Sequence, residues 1–316
     1  MISLPDQQVL SSTAAGVDRL PVSRTLVEGD TVKFCQRTPD GYETESVIIP
    51  MGAHVDGRDK TWRTLCVSSQ VGCGRGCSFC QTASMGLLRN LTVDEILGQV
   101  RAARIDFNAE IRNVVFMGMG EPMDNLDNVI SAIRAMHEDR ERPIPRRRVT
   151  VSTVGRCDGI RRLGALRWRR LKLAVSLNAP NDEIRSRIMP INRTEPMGDL
   201  RAAISEYPVR SGGHVLIEYV LIRNLNDRPE HAREVAAYLS GLRTCVNLIP
   251  YNPIDHAPYE TPDDAAVDAF MAILMRHGQL VFRRNTKGRA ASAACGQLGN
   301  VALRRVPNKT AVLITP

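Results

Sequence analysis

The stretch Cys66-Val67-Ser68-Ser69-Gln70-Val71-Gly72-Cys73-Gly74-Arg75-Gly76-Cys77-Ser78-Phe79-Cys80 decides how the rest of the chain is read. Cys73, Cys77 and Cys80 stand in a C-x3-C-x2-C spacing that can give one thiolate to each of three corners of a cubane 4Fe–4S cluster. The fourth iron then has no protein ligand and is free for chemistry. Glycines at 72, 74 and 76 let the backbone curl so that three sulfurs converge, and Phe79 stands where it would shield a cluster from water. A zinc knuckle or a set of buried free thiols is the alternative. Structural zinc asks for four ligands, and no fourth Cys or His lies close in sequence.

Around this stretch the composition is that of a globular protein. The chain has 316 residues, 43% of them hydrophobic, enough for one full core in a single barrel with small appendages. No apolar run approaches 18 residues, which argues against a membrane span. Met1-Ile2-Ser3-Leu4-Pro5-Asp6 lacks the basic and apolar regions of a signal peptide, so a cytoplasmic location is expected. Eight cysteines (35, 66, 73, 77, 80, 157, 245 and 295) in a chain of this size fit reduced thiols better than a disulfide framework. Net charge is +8, which favours a polyanionic partner such as RNA. The charge is concentrated. Arg140, Arg142, Arg146, Arg147, Arg148, Arg156, Arg161, Arg162, Arg167, Arg169, Arg170 and Lys172 are opposed in their segment only by Glu141 and Asp158. Such a stripe is either a solvated helix surface or a seat for a phosphate backbone.

Periodicity supplies the architecture. Residues 1–30 are weakly patterned and read as a poorly structured arm or short strands. Thr31–Gln36 and Tyr42–Ile49 alternate about Pro39-Asp40-Gly41 as a β-hairpin. Residues 51–61 read as a polar loop. From there strands are predicted at 63–71, 113–117, 149–153, 171–177, 214–222 and 244–249, and helices at about 92–105, 125–139, 157–167, 197–206, 228–240 and 263–277. The first helix opens on the capping box Thr92-Val93-Asp94-Glu95. Six such units predict an α/β fold, a partial (β/α)6 TIM-like barrel with a small amino-terminal hairpin extension. The expected division is 1–62 for arm and hairpin and 63–316 for the barrel. In barrels of this kind reactive residues gather at the carboxyl ends of strands.

Five blocks in order then carry a resemblance: CVSSQVGC at 66–73, MGMGEP at 117–122, SLNAPNDEIRSRIMPIN at 176–192, NLIPYNP at 247–253 and AACGQL at 293–298. Over roughly residues 43–300 the chain resembles the RlmN/Cfr family of radical S-adenosylmethionine (SAM) RNA adenine methyltransferases. The resemblance implies a 4Fe–4S cluster on Cys73, Cys77 and Cys80, with SAM held at Gly120, Glu121, Ser152, Ser176, Leu177, Asn178 and Asn252. It casts Cys295 as a cysteine methylated by one SAM and then stripped of a hydrogen atom by the radical from a second SAM. The methylene so formed would add to an adenine ring carbon, C2 preferred and C8 the alternative. Cys66 would resolve the protein–base crosslink through a transient disulfide, and Glu45 would be the proton acceptor. On residue type alone Cys66 and Cys295 are ordinary small core residues, and Glu45 an exposed strand residue. The implied partners are ribosomal RNA, with transfer RNA as a further substrate, an external electron donor such as flavodoxin or ferredoxin, and a dithiol reductant. A monomer with no membrane contact is expected.

The chain also departs from the family pattern. Asn178 stands where family members carry His, which predicts a weakened or altered ribose contact. Arg289, Ala290 and Ser292 occupy usually acidic positions, which should favour thiolate at Cys295. Only about 30 weakly patterned residues precede the hairpin, so most of the family's helical accessory domain is expected to be absent. These departures leave two other readings open: a divergent paralogue using the same chemistry on another nucleic acid or a small molecule, and an RNA- or SAM-binding protein without turnover. Few aromatic residues are available to stack on a base; Trp62, Trp168, Tyr251 and Tyr259 are the candidates.

Overall fold

In the computed structural model the described residues are 20–55, 58–255, 257–284, 288 and 292–299; for 53–55 and 58–60 the backbone alone is described. Residues 1–19 of the expected arm and Arg289 and Ala290 of the altered motif lie outside them. Three antiparallel strands come first: β1 (Val22–Glu28), β2 (Thr31–Arg37) and β3 (Glu43–Val55). β3 pairs with β4 (Arg58–Cys66), and β4 turns the sheet parallel. The polar loop expected at 51–61 is therefore corrected: its backbone continues both strands. Charged and glycine residues mask strand pairing where side chains need not face a core.

The parallel part follows as β7 (Ile111–Phe116), β8 (Val149–Thr153), β9 (Lys172–Ser176), β10 (Val215–Leu221), β11 (Thr244–Pro250) and β12 (Leu280–Arg283), each beside its predecessor. Two short strands, β5 (Gln70–Gly72) and β6 (Leu87–Asn90), pair outside this sheet and brace the cysteine loop. The strand predicted at 63–71 thus ends at Cys66, and the chain breaks away before Gln70 to form that loop. The helices are α1 (Gln81–Ser84), α2 (Val93–Ile105), α3 (Leu126–Glu138), α4 (Cys157–Ala165), α5 (Asp182–Ile188), α6 (Met197–Glu206), α7 (Pro229–Leu239) and α8 (Asp264–Arg276). Thr92 caps α2 with the reciprocal Glu95 bond of a full capping box.

Consecutive parallel strands joined by helices curl one way, because each crossover is right-handed. The curl is visible in which residues meet. Met117, Ser152, Ser176, Val220, Ile249 and Arg284, from or just past six different strands, wall one cavity. The core between sheet and helices is built from Phe116, Val151, Leu173, Ile217 and Leu248 on the strands and Ile133, Leu163, Leu200 and Phe270 on the helices. The interior face alternates with it at period two: Thr64 and Cys66, Asn113 and Val115, Thr150, Leu216 and Glu218, Asn247 and Ile249 line the lumen.

Candidate active site

The cysteine loop leaves the barrel after β4 and is held by backbone bonds. Cys73 N–H donates to Gly86 O at 3.0 Å, and Ser78 N–H to Ile188 O at 3.0 Å. Gly72 has φ +74°, and a Cβ there would come within 1.9 Å of Gly86 O, so only glycine closes this turn. Cys73 and Cys77 are buried and Cys80 half-buried. Burial pushes the Cys73 thiol up to about 12 and the Cys77 and Cys80 thiols upward, and the sulfurs' mutual charge adds to the rise at Cys73 and Cys77. Uncompensated thiolates are thus disfavoured here; cationic iron on the sulfurs would reverse that balance. Among the described residues no three His, Cys, Asp or Glu side chains gather as ligands of a single metal ion. A cluster, taking one sulfur per corner, asks for a wider spread.

Cys77, Phe79 and Cys80 form one side of a cavity of about 870 Å³, with Gly120, Glu121, Ser152, Ser176, Asn178 and Asn252 on the others. Six of the seven expected SAM residues therefore share one cavity with two expected cluster ligands. Leu177 does not: its side chain is fully buried in the core, and its backbone bonds Glu218 O and the Arg185 guanidinium. Gly120 has φ +96°, and a Cβ on it would strike Gln70 at 2.5 Å, which keeps the backbone bare beside the cavity. Glu121 is 2% exposed and accepts from Met123 N–H at 3.0 Å and Val154 N–H at 2.8 Å. Burial outweighs those bonds and raises its carboxyl to about 7. A buried carboxylate of this kind is matched by a cation such as the amino group of SAM. Asn178 adopts the left-handed conformation at φ 56°, which asparagine tolerates. Its Oδ1 accepts from Val220 N–H at 2.9 Å, and its Nδ2 lies 3.4 Å from Met189 Sδ.

A second cavity of about 1620 Å³ fills the barrel lumen, and Met117, Glu218, Ile249, Asn252, Arg284 and Cys295 wall both. Cys295 thus stands between the two, and Cys66 faces the lumen alone. The Cys295 loop is tied down on every side. Gly296 O accepts from Gln81 N–H at 2.7 Å, Cys295 O from Asn252 Nδ2 at 3.1 Å, and Leu298 O from Thr82 Oγ1 at 2.5 Å. Burial pushes the Cys66 thiol up to about 12, with the Cys295 sulfur adding and Arg284 opposing. The structure brings Cys66 and Arg284 close enough to Cys295 that its sulfur acts on both.

Glu45 is 2% exposed, unlike the exposed residue its type suggests. Its carboxylate pairs with Lys33 Nζ at 2.7 Å and accepts from Gly299 N–H at 2.9 Å, so it grips the far end of the Cys295 loop. It is not among the residues walling either cavity. Trp62 and Trp168 carry Arg112 and Arg146 on their faces at 4.9 and 4.4 Å, and Tyr251 is buried edge-on against Tyr259.

Three polar residues at or beside the site escaped the sequence reading. Arg185, fully buried, ties the carbonyls of Val154, Ser176 and Leu177 together at the site. Buried Glu218 accepts from half-buried Asn247 Nδ2 at 2.7 Å in the lumen. Arg185 lies inside the quoted block at 176–192, where, among Asp182, Glu183, Ser186 and Arg187, nothing in the sequence marks it as buried.

Residues 67–236 match the radical SAM superfamily. The chain is 44% identical over 299 residues to "Probable dual-specificity RNA methyltransferase RlmN 1" of Protochlamydia amoebophila, covering 95% of this chain and 81% of that one. It is 42% identical over 285 residues to "Dual-specificity RNA methyltransferase RlmN" of Syntrophotalea carbinolica, covering 90% and 74%. The chain belongs to the RlmN family of radical SAM RNA methyltransferases. A crystal structure titled as a radical SAM methyltransferase from Sphaerobacter thermophilus superposes with a TM-score of 0.80 at 42% identity, over 88% of this chain and 81% of that one. As a family member the protein uses a 4Fe–4S cluster and SAM. The burial and chemistry of the three cysteines and the adjoining Glu121 cavity fit both. Among the described residues no helix is long and apolar enough to cross a membrane.

Proposed function

We propose that this protein methylates an adenine ring carbon of ribosomal RNA, at C2 in preference to C8, with transfer RNA as a second substrate, in the cytoplasm. The observation that supports the reading is the placement of Cys295 in the wall common to both cavities, with Cys66 on the lumen side. When bound, the cluster and SAM supply a methyl group and a carbon-centred radical. Cys295 Sγ gives up its proton and takes the methyl group, then carries it, activated, toward the lumen. That carbon, having lost one hydrogen atom to the radical, bonds to a base in the lumen; the adduct, held to the protein through sulfur, gives up one electron to the electron-transfer partner and its ring hydrogen as a proton. Cys66 Sγ, as thiolate, then attacks Cys295 Sγ, the sulfur–carbon bond breaks with its electron pair going to carbon, which takes up a proton to become the methyl group, and a disulfide forms that an external dithiol reduces. Glu45 is the proton acceptor by its motif; to serve, its carboxylate has to leave Lys33.

The deciding measurement is mass spectrometry of ribosomal and transfer RNA from cells with and without the gene. A methyladenosine that disappears with the gene is expected, and its position names the carbon; identical RNA from both cells sinks the reading. Cys66→Ala protein purified from cells should carry covalently bound RNA nucleotide at Cys295. If it is free of nucleotide, crosslink resolution is not the role of Cys66.

A further inference from the structure

The two cavities already described end at the reactive sulfur, and a third site lies beyond the lumen. At the amino-terminal ends of β8 to β11, Arg147, Arg148, Arg169, Arg170, Lys172 and Arg210 wall a depression of about 1310 Å³. Arg148, Lys172 and Leu216 also wall the lumen, so the depression opens onto it. No carboxylate lies among its walls, and among the described residues none of these six cations pairs with one. Elsewhere in the same stretch Arg156, Arg161 and Arg162 all have acidic partners. The cations also crowd one another. Partial burial, then the Arg148 and Arg210 charges, lower the Lys172 ammonium below its usual value, and burial followed by Arg112 and Arg147 lowers the Arg148 guanidinium. Six cations left to repel one another at the rim of a cavity are relieved by a multivalent anion.

We propose that this rim is the seat of the RNA phosphate backbone, and that the target nucleotide enters the barrel through the amino-terminal end of its strands, opposite the cluster loop. The inference rests on the RNA substrate proposed above. It assigns the basic stretch 146–172 a purpose and a direction. Phosphates on the rim hold the strand while one base reaches past Arg148 and Lys172 toward Asn113, Thr150 and Glu218, and from there to Cys295. Extrusion of a base into an enclosed pocket is the general solution for chemistry on a ring atom. The cavity whose walls carry the expected SAM residues lies, by contrast, at the other end.

The test compares two triple variants of the cluster-loaded enzyme by RNA binding, using a hairpin with an unpaired adenine. One is Arg169→Ala, Arg170→Ala and Arg210→Ala at the rim. The other is Arg187→Ala, Arg193→Ala and Arg223→Ala, exposed residues beside the cluster end. The rim variant should bind RNA at least about tenfold more weakly, with the slope of log affinity against log salt reduced by about 2 to 3. Its methylation of Cys295 in the absence of RNA should be unchanged. The cluster-end variant should bind RNA as the wild type does. Wild-type affinity and salt slope in the rim variant, or equal losses in both, overturns the inference while leaving RNA methylation standing. A wild-type enzyme that methylates no RNA overturns the functional reading, and the inference with it.

Discussion

At the scale of single residues, Glu121 carries the most charge-sensitive burden. Its carboxyl is raised from 4.5 to about 7 by burial, so the folded state holds a proton that the unfolded chain releases. The stabilising protonated form is fully present below about pH 4.5 and is lost as pH rises through about 7. A shift of that size corresponds to ~3 kcal/mol. In SAM-free protein, the difference in urea stability between wild type and Glu121→Gln should therefore change by ~3 kcal/mol between pH 4.5 and pH 8. The change favours the variant at high pH; a flat difference would show that the carboxyl titrates normally. Asn178 is held in place by its neighbours. Both polar atoms of its amide face protein partners, Val220 and Met189, and its left-handed backbone is one that a branched residue would resist.

At the scale of elements, Arg185 on α5 binds the ends of β8 and β9 into one wall. Its guanidinium is buried and donates to four main-chain carbonyls, of Val154, Ser176, Leu177 and Glu195, and to Asn192 Oδ1 at 2.8 Å. Arg185→Met leaves those acceptors without donors in a dry site, and should lower stability by ~3 kcal/mol or more in chemical denaturation. A loss below ~1 kcal/mol would mean that water replaces the guanidinium. Gln99 on α2 has a comparable task, bonding Ser46 Oγ at 2.7 Å and both backbone groups of Ser68. It locks the hairpin to the start of the cysteine loop.

Such cross-links were not legible in the chain, because they depend on which strand ends meet. What was legible followed from period and punctuation. The hairpin about Pro39-Asp40-Gly41, the strands at 149–153 and 244–249 and the capped helix at 92 rest on local signals and stand where the pattern puts them. β12 was missed because four residues, LVFR, carry too little alternation. α5 was missed because Asn181, its cap, sits amid residues that also suit a turn. The three cysteines expected to hold the cluster stand out by spacing, whereas Glu218 and Asn247 look like ordinary strand polar residues until the barrel closes around them.

At the scale of the whole molecule, one open barrel holds three spaces in a row: a cavity at the carboxyl ends of the strands that carries the expected SAM residues, a lumen, and a basic rim at the amino ends. Cys295 stands where the first two meet, and Cys66 faces the second. Because Cys295 is walled into both adjoining cavities, small molecule and nucleic acid need not compete for one doorway. On the proposed function and entry route, spent nucleoside can be exchanged for fresh SAM while a strand remains seated, and the thiol can be charged before any strand arrives. Steady-state kinetics should carry that signature. S-adenosylhomocysteine should compete with SAM yet raise the apparent KM for RNA little while lowering the maximal rate, and a competitive pattern against RNA would mean a shared entrance. An enzyme so arranged behaves as a two-sided relay, with turnover limited by whichever side reloads more slowly.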